Sequence, residues 1–181
     1  VVNDLDIVDL SSNLIKNNYL SHRFSDGENI GVSNLQCGNM MGLTNTAATA
    51  KSLQGCVALQ RGDALAFDWY LWTTVLLNTK QVVFTNNTTT KYRIHPNNIA
   101  GFDQPINHES VARGLEVKSE YYSLMSEVNN DYSGLSNKFK IYTCNLSEKN
   151  FLNYISMLEK NKIPYPIWWE QIKSPSEVGI L

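Results

Sequence analysis

The clearest periodic stretch of the chain is NHESVARGLEVKSEYYSLMSEV, residues 107–128. Its apolar side chains recur at helical spacing, which predicts an α-helix with one buried face. The residues of that face are Val111, Leu115, Tyr122 and Met125. Asn107 precedes them, and asparagine is a favoured N-cap because its side chain accepts an N–H group that the first helical turn leaves unpaired. The stretch therefore predicts a long helix that begins at Asn107.

Helical spacing also occurs elsewhere in the chain. Apolar residues follow it over residues 4–20, and again from Asn39 to Gly55, where glycine is typical of a helix end. Ser147 is positioned to cap a further helix. The most apolar run, residues 64–77, fits a helix or a buried strand, because periodicity alone does not separate the two.

Strands are predicted around turn-forming residues. Residues 81–84 and 91–95 flank Asn86-Asn87-Thr88, which indicates a β-hairpin, and residues 139–143 alternate as a strand does. Together these elements predict an α+β fold with a mainly antiparallel sheet and about four to five helices. No repeat or linker divides the chain, so we expect residues 1–181 to form a single globular domain.

The composition is polar but weakly charged. Asn, Ser and Thr make up 48 of the 181 residues, and the formal net charge is −2. This composition is typical of secreted, viral or cell-surface proteins, although an AT-rich genome produces the same asparagine enrichment. No basic run is present, so we predict no nucleic-acid partner.

The sequence shows no membrane-spanning pattern. No apolar run reaches the roughly 18–20 residues that a bilayer requires. The chain begins Val1-Val2 and shows no signal peptide, so we expect a product processed from a secreted or viral precursor.

The three cysteines are Cys37, Cys56 and Cys144. No C-x-x-C spacing occurs, and we predict neither a metal site nor a cofactor. Cys37 directly precedes the helix predicted from Asn39. Unpaired N–H groups at a helix start stabilise a thiolate, so Cys37 is the candidate nucleophile.

A cysteine nucleophile needs a base and a group that orients the base. His95, at the end of a predicted strand, is the first candidate base, and His108 near a predicted helix start is the second. Asp103 or Asn98 is the candidate orienting residue. The backbone N–H groups of Cys37 and Gly38 are the predicted oxyanion donors.

This order of a cysteine before a helix, a histidine on a strand and then Asn or Asp is similar to that of papain-like hydrolases, transferases and deamidases. The resemblance covers roughly a third of the chain and is one of arrangement, because the papain-type sequence around the cysteine is absent. It implies a cysteine-dependent hydrolase or acyl-transferring enzyme, of the protease or deamidase kind, in an effector or toxin domain.

The alternative is a binding or structural protein of a virus or secreted system. Tyr and Trp with abundant Asn and Ser suit the recognition of a glycan or protein partner. Trp168 and Trp169 are the candidate contact residues. They lie in an apolar C-terminal tail, residues 163–181, which we expect to pack back onto the domain.

Overall fold

The computed structural model describes residues 1–56, 61–79, 82–95, 98, 106–145 and 147–179. Five α-helices occur in this part of the chain, and α1 is a single turn. They are α1 (Ala50–Leu53), α2 (Phe67–Thr79), α3 (His108–Val128), α4 (Ser133–Asn145) and α5 (Glu148–Lys160). The run 64–77 is thus largely helical. The predicted caps of α3 and α5 are confirmed, since Asn107 accepts the N–H of Ser110 and Ser147 accepts that of Asn150.

The described strands form one mixed sheet in the order β2-β1-β4-β3. The strands are β1 (Val2–Val8), β2 (Leu14–Lys16), β3 (Asn29–Ile30) and β4 (Val82–Arg93). β1 pairs with β4 in parallel, and the other two pairings are antiparallel. The predicted α+β class is confirmed, with a single compact domain of helices and a mixed sheet.

The prediction of a helix over residues 4–20 is wrong, because this segment forms β1 and β2. The carboxylate of Asp4 is buried within the fold and accepts the N–H groups of Leu5 and Leu20 and the hydroxyl of Ser21. These bonds hold the returning chain against β1. A tight turn joins the strands, in which Asp9 accepts two hydrogen bonds from Asn13. Such local carboxylate bonds compete with a helix.

The predicted hairpin around residues 86–88 is also wrong. β4 runs through this region as one strand and pairs with β1 along its length. Asn3 aligns with Thr85 and Asp4 with Thr89, so residues 86–88 form an insertion in the strand pair. The turn-forming residues therefore produce a bulge instead of a reversal.

The strand predicted at residues 139–143 lies within α4, and it is likewise wrong. Phe139 is buried, and its ring lies 5.0 Å from that of Tyr122 on α3. The alternating pattern over five residues was too short to separate a strand from one face of a helix.

The core between α2 and α3 is built from aromatic residues. The rings of Trp69 and Tyr121 stack at 3.7 Å, and the Tyr121 hydroxyl shares a 2.9 Å hydrogen bond with Thr73. Tyr122 meets Trp69 edge-on. This packing fixes the register of the two helices, on which the site described below depends.

Candidate functional site

Cys37 follows a 3₁₀ turn and does not precede a helix. The turn spans Val32–Leu35, and residues 39–49 contain no helix. The predicted helix from Asn39 to Gly55 is therefore wrong except for α1, and the predicted stabilisation of the Cys37 thiolate by a helix start is wrong with it. The Cys37 side chain is exposed, whereas that of Cys56 is buried.

We call residues Leu35–Asn39 the strap. Three consecutive backbone carbonyls of the strap each accept a hydrogen bond from a side chain of α2 or α3. The donors are the Trp69 indole to Leu35 (2.7 Å), the Tyr122 hydroxyl to Gln36 (2.9 Å) and the Lys118 ammonium to Cys37 (2.7 Å). The strap is thus held on rigid elements, which is the support that a precise site requires.

The C-terminal segment holds the other side of the strap. The backbones of Asn39 and Trp168 exchange two hydrogen bonds, of 2.8 and 2.9 Å. Gly38 lies so close to this segment that an added Cβ would sit 2.7 Å from the carbonyl oxygen of Trp168. Glu170 anchors the segment through a salt bridge with Arg23.

Two backbone donors beside the thiol are unpaired. Within the part of the chain that the structure describes, neither the Cys37 N–H nor the Gly38 N–H donates a hydrogen bond to the protein. Successive N–H groups without protein partners can receive a negative oxygen. The strap therefore presents an exposed thiol next to the two predicted oxyanion donors.

Lys118 is buried beneath Cys37, with 2% of its surface exposed. Among the described residues, no carboxylate lies within ion-pair distance of its ammonium group. Burial lowers the pKa of Lys118 to about 8, and the charge of a Cys37 thiolate opposes that shift. Smaller influences come from Lys173, which also lowers the pKa, and from Glu177 and Glu170, which raise it.

Two tyrosines complete the surroundings of the strap. Burial raises the pKa of Tyr122 and of Tyr132, and a negative charge on Cys37 raises both pKa values further. The Tyr132 hydroxyl is buried and makes no hydrogen bond of good geometry, although the Tyr121 hydroxyl lies near it. Both phenols therefore remain neutral at physiological pH and cannot serve as a base there.

The structure does not pair Cys37 with either candidate histidine. Within the described residues, the Cys37 thiol has no hydrogen bond to an imidazole. His108 is exposed at the start of α3, and its ring packs 4.3 Å from that of Phe151. It lies ten residues before Lys118, about 15 Å along the helix.

His95 follows β4 and is contacted by Asn98 through its backbone. The His95 N–H donates to the Asn98 side-chain oxygen at 2.6 Å, and the Asn98 amide donates to the Tyr92 hydroxyl at 2.8 Å. Asn98 thus orders the end of β4. Asp103 lies outside the described residues. The roles assigned to these residues stay predictions.

The tryptophan pair of the tail is not displayed as an open surface. Trp168 is buried, and its ring meets that of Tyr92 edge-on at 5.3 Å. Trp169 is half-buried and has a positive φ of 68°. Ile167 and Ile172 are buried with them, so this part of the C-terminal segment contributes mainly to packing.

A second perturbed group lies at the start of α2. Burial raises the pKa of Asp68 to about 6, although its carboxylate accepts the N–H of Trp69 at 2.8 Å. Its charge would also raise the pKa of Tyr92. A carboxyl group with a raised pKa stabilises the fold at low pH and loses that contribution as the pH rises.

Asp68→Asn should therefore stabilise the protein at pH 7 by about 1–3 kcal/mol and change little at pH 4. Asparagine keeps the acceptor for the Trp69 N–H and removes the buried charge. Urea denaturation at both pH values measures the difference. Asp63→Asn, in the exposed turn before α2, is the matched control for loss of one charge, and an equal gain in that control would contradict the prediction.

The chain matches no family model, no curated protein and no solved structure. None of the described helices combines the length and the apolar character that crossing a bilayer requires. The described residues contain no group of three or more His, Cys, Asp or Glu side chains arranged to hold a metal ion.

Proposed function

We propose that this protein is a cysteine-dependent hydrolase or acyl-transferring enzyme, with Cys37 as the nucleophile. The supporting observation is the strap, which exposes the Cys37 thiol beside the unpaired N–H groups of Cys37 and Gly38. A buried ammonium lies under the same residue. The composition supports an effector or toxin setting, in a secreted or viral protein, acting on a protein or glycan partner.

The proposed reaction has two steps. The Cys37 thiolate attacks the acyl carbonyl carbon, a C–S bond forms, and the C–N or C–O bond of the donor breaks. The departing amine or alcohol takes a proton from solvent, and the N–H groups of Cys37 and Gly38 stabilise the intermediate oxyanion. Water or an acceptor amine then attacks the thioester, which releases the acyl product and restores the thiolate.

Cys37→Ser should abolish acyl transfer and leave the stability unchanged, because the thiol is exposed. The wild-type protein is incubated with p-nitrophenyl acetate and with an acyl thioester, and adducts are located by peptide mass spectrometry. We expect an acyl group on Cys37 and a loss of turnover in the variant of at least about a thousandfold. Cys56→Ser is the control. Undiminished turnover by Cys37→Ser, or acylation confined to other residues, would refute the proposal.

A binding function without catalysis is the second candidate, and one surface favours it. Leu10, Leu14 and Ile15 are 52–62% exposed on the hairpin that carries edge strand β2. Arg93 donates to the carbonyl of Leu10 at 2.7 Å and so holds the turn in place. Ordered apolar side chains at a sheet edge suit a protein partner. Retention of partner binding by Cys37→Ser together with its loss in Leu14→Ser would favour this reading.

A further inference from the structure

A buried lysine without a carboxylate partner is unusual. Removing an ammonium group from water costs several kcal/mol unless other charges and hydrogen bonds compensate. In the described structure, the printed bond of Lys118 is the one to the Cys37 carbonyl. The ring of Phe139 adds a cation–π contact at 5.7 Å. Neither contact supplies a negative charge, so the site retains an unbalanced positive charge under the strap.

We infer that Lys118 is a positioning residue that holds Cys37 in its thiolate form from beneath the strap. This inference rests on the proposed role of Cys37 as a nucleophile. A thiolate on Cys37 favours the protonated form of Lys118, and by thermodynamic reciprocity the ammonium favours the thiolate equally. The low dielectric around a buried charge strengthens that attraction.

The other charges near Lys118 do not replace this partner. Glu170 is bound to Arg23, on the far side of the C-terminal segment. Glu177 accepts the N–H of Ser174 and lies within the influence of Lys173, which offsets its charge at Lys118. Cys37 is therefore the group whose ionisation responds most directly to the lysine. The buried Tyr132 hydroxyl, which lacks a well-formed hydrogen bond, also faces the charge of Cys37.

Two variants separate the charge of the lysine from its hydrogen bond. Lys118→Gln keeps an N–H donor for the Cys37 carbonyl and removes the charge. Tyr122→Phe removes the neighbouring hydrogen bond to Gln36 and keeps the charge. Iodoacetamide alkylation of Cys37 is followed at pH 6.5 and pH 9.5 by peptide mass spectrometry. Lys118→Met, read in the same way, serves if the glutamine variant does not fold.

We expect Lys118→Gln to slow alkylation of Cys37 about tenfold at pH 6.5 and to leave the rate at pH 9.5 unchanged. Tyr122→Phe should match the wild type at both pH values. An unchanged rate in Lys118→Gln at pH 6.5, or equal slowing at both pH values, would overturn the inference. If the tenfold effect occurs but the wild type forms no acyl adduct, the inference stands and the proposed function fails.

Discussion

Gly38→Ala should destabilise the protein by about 2–4 kcal/mol. The added Cβ would lie 2.7 Å from the Trp168 carbonyl oxygen and 2.9 Å from side-chain atoms of Ile167 and Glu170. A backbone oxygen cannot move aside as the end of a side chain can. The two hydrogen bonds between Asn39 and Trp168 must therefore lengthen or break. Urea denaturation monitored by circular dichroism measures the loss.

Gly134→Ala is the control for this substitution. Gly134 lies in α4, and a Cβ added there meets no atom within 4 Å. Alanine should stabilise that helix by up to about 1 kcal/mol. If Gly38→Ala were as stable as Gly134→Ala, the strap would not be wedged against the C-terminal segment, and the described support of Cys37 would be wrong.

Lys118→Met should abolish a rise in stability that the wild type shows above pH 8. Burial lowers the pKa of Lys118 to about 8 in the folded protein. Between that pH and the ordinary value near 10.5, the unfolded chain binds a proton that the folded protein has lost. Stability therefore increases with pH in this window, by about 1–2 kcal/mol between pH 8 and pH 9.5.

The measurement must stop below the range in which tyrosines titrate. Burial raises the pKa of Tyr121 and of Tyr122, so the folded state retains protons above pH 10 that the unfolded chain releases. Stability then falls with increasing pH. Guanidinium denaturation at pH 7.5, 8.5 and 9.5 isolates the lysine. Parallel profiles for the wild type and Lys118→Met would show that Lys118 is not a buried, uncompensated ammonium.

The helices that the sequence predicted correctly are those with strong local signals. α3 and α5 have apolar stripes and N-cap side chains that form the expected bonds, at Asn107 and Ser147. Such signals act within a few residues and are visible in the chain itself. The fold class followed from them and from the polar turns, although the individual strands did not.

The helix predicted from Asn39 failed because two asparagines bond to the nearby backbone. The Asn39 side chain accepts the N–H of Met41, and that of Asn45 accepts the N–H of Gly42. These bonds stabilise an irregular conformation in competition with a helix. The same asparagines deliver Cys37 to the surface by a route that periodicity does not predict.

Lys118 was missed although the sequence carried a signal for it. It lies three residues after Leu115 and four before Tyr122, on the apolar stripe that becomes the buried face of α3. A lysine on such a stripe is a candidate for a buried, functional amine. Its partner at Cys37 is 81 residues away in sequence, and no local pattern predicts that pairing.

The most direct test of the account is the alkylation of the three cysteines of the native wild-type protein by iodoacetamide, from pH 5 to pH 9, with each site resolved by peptide mass spectrometry. The account predicts that Cys37 reacts faster than Cys56 throughout and keeps a substantial rate below pH 7, because its thiol is exposed above a buried ammonium. A Cys37 thiol that reacts no faster than Cys56 and Cys144 would contradict the assignment of this residue as a nucleophile.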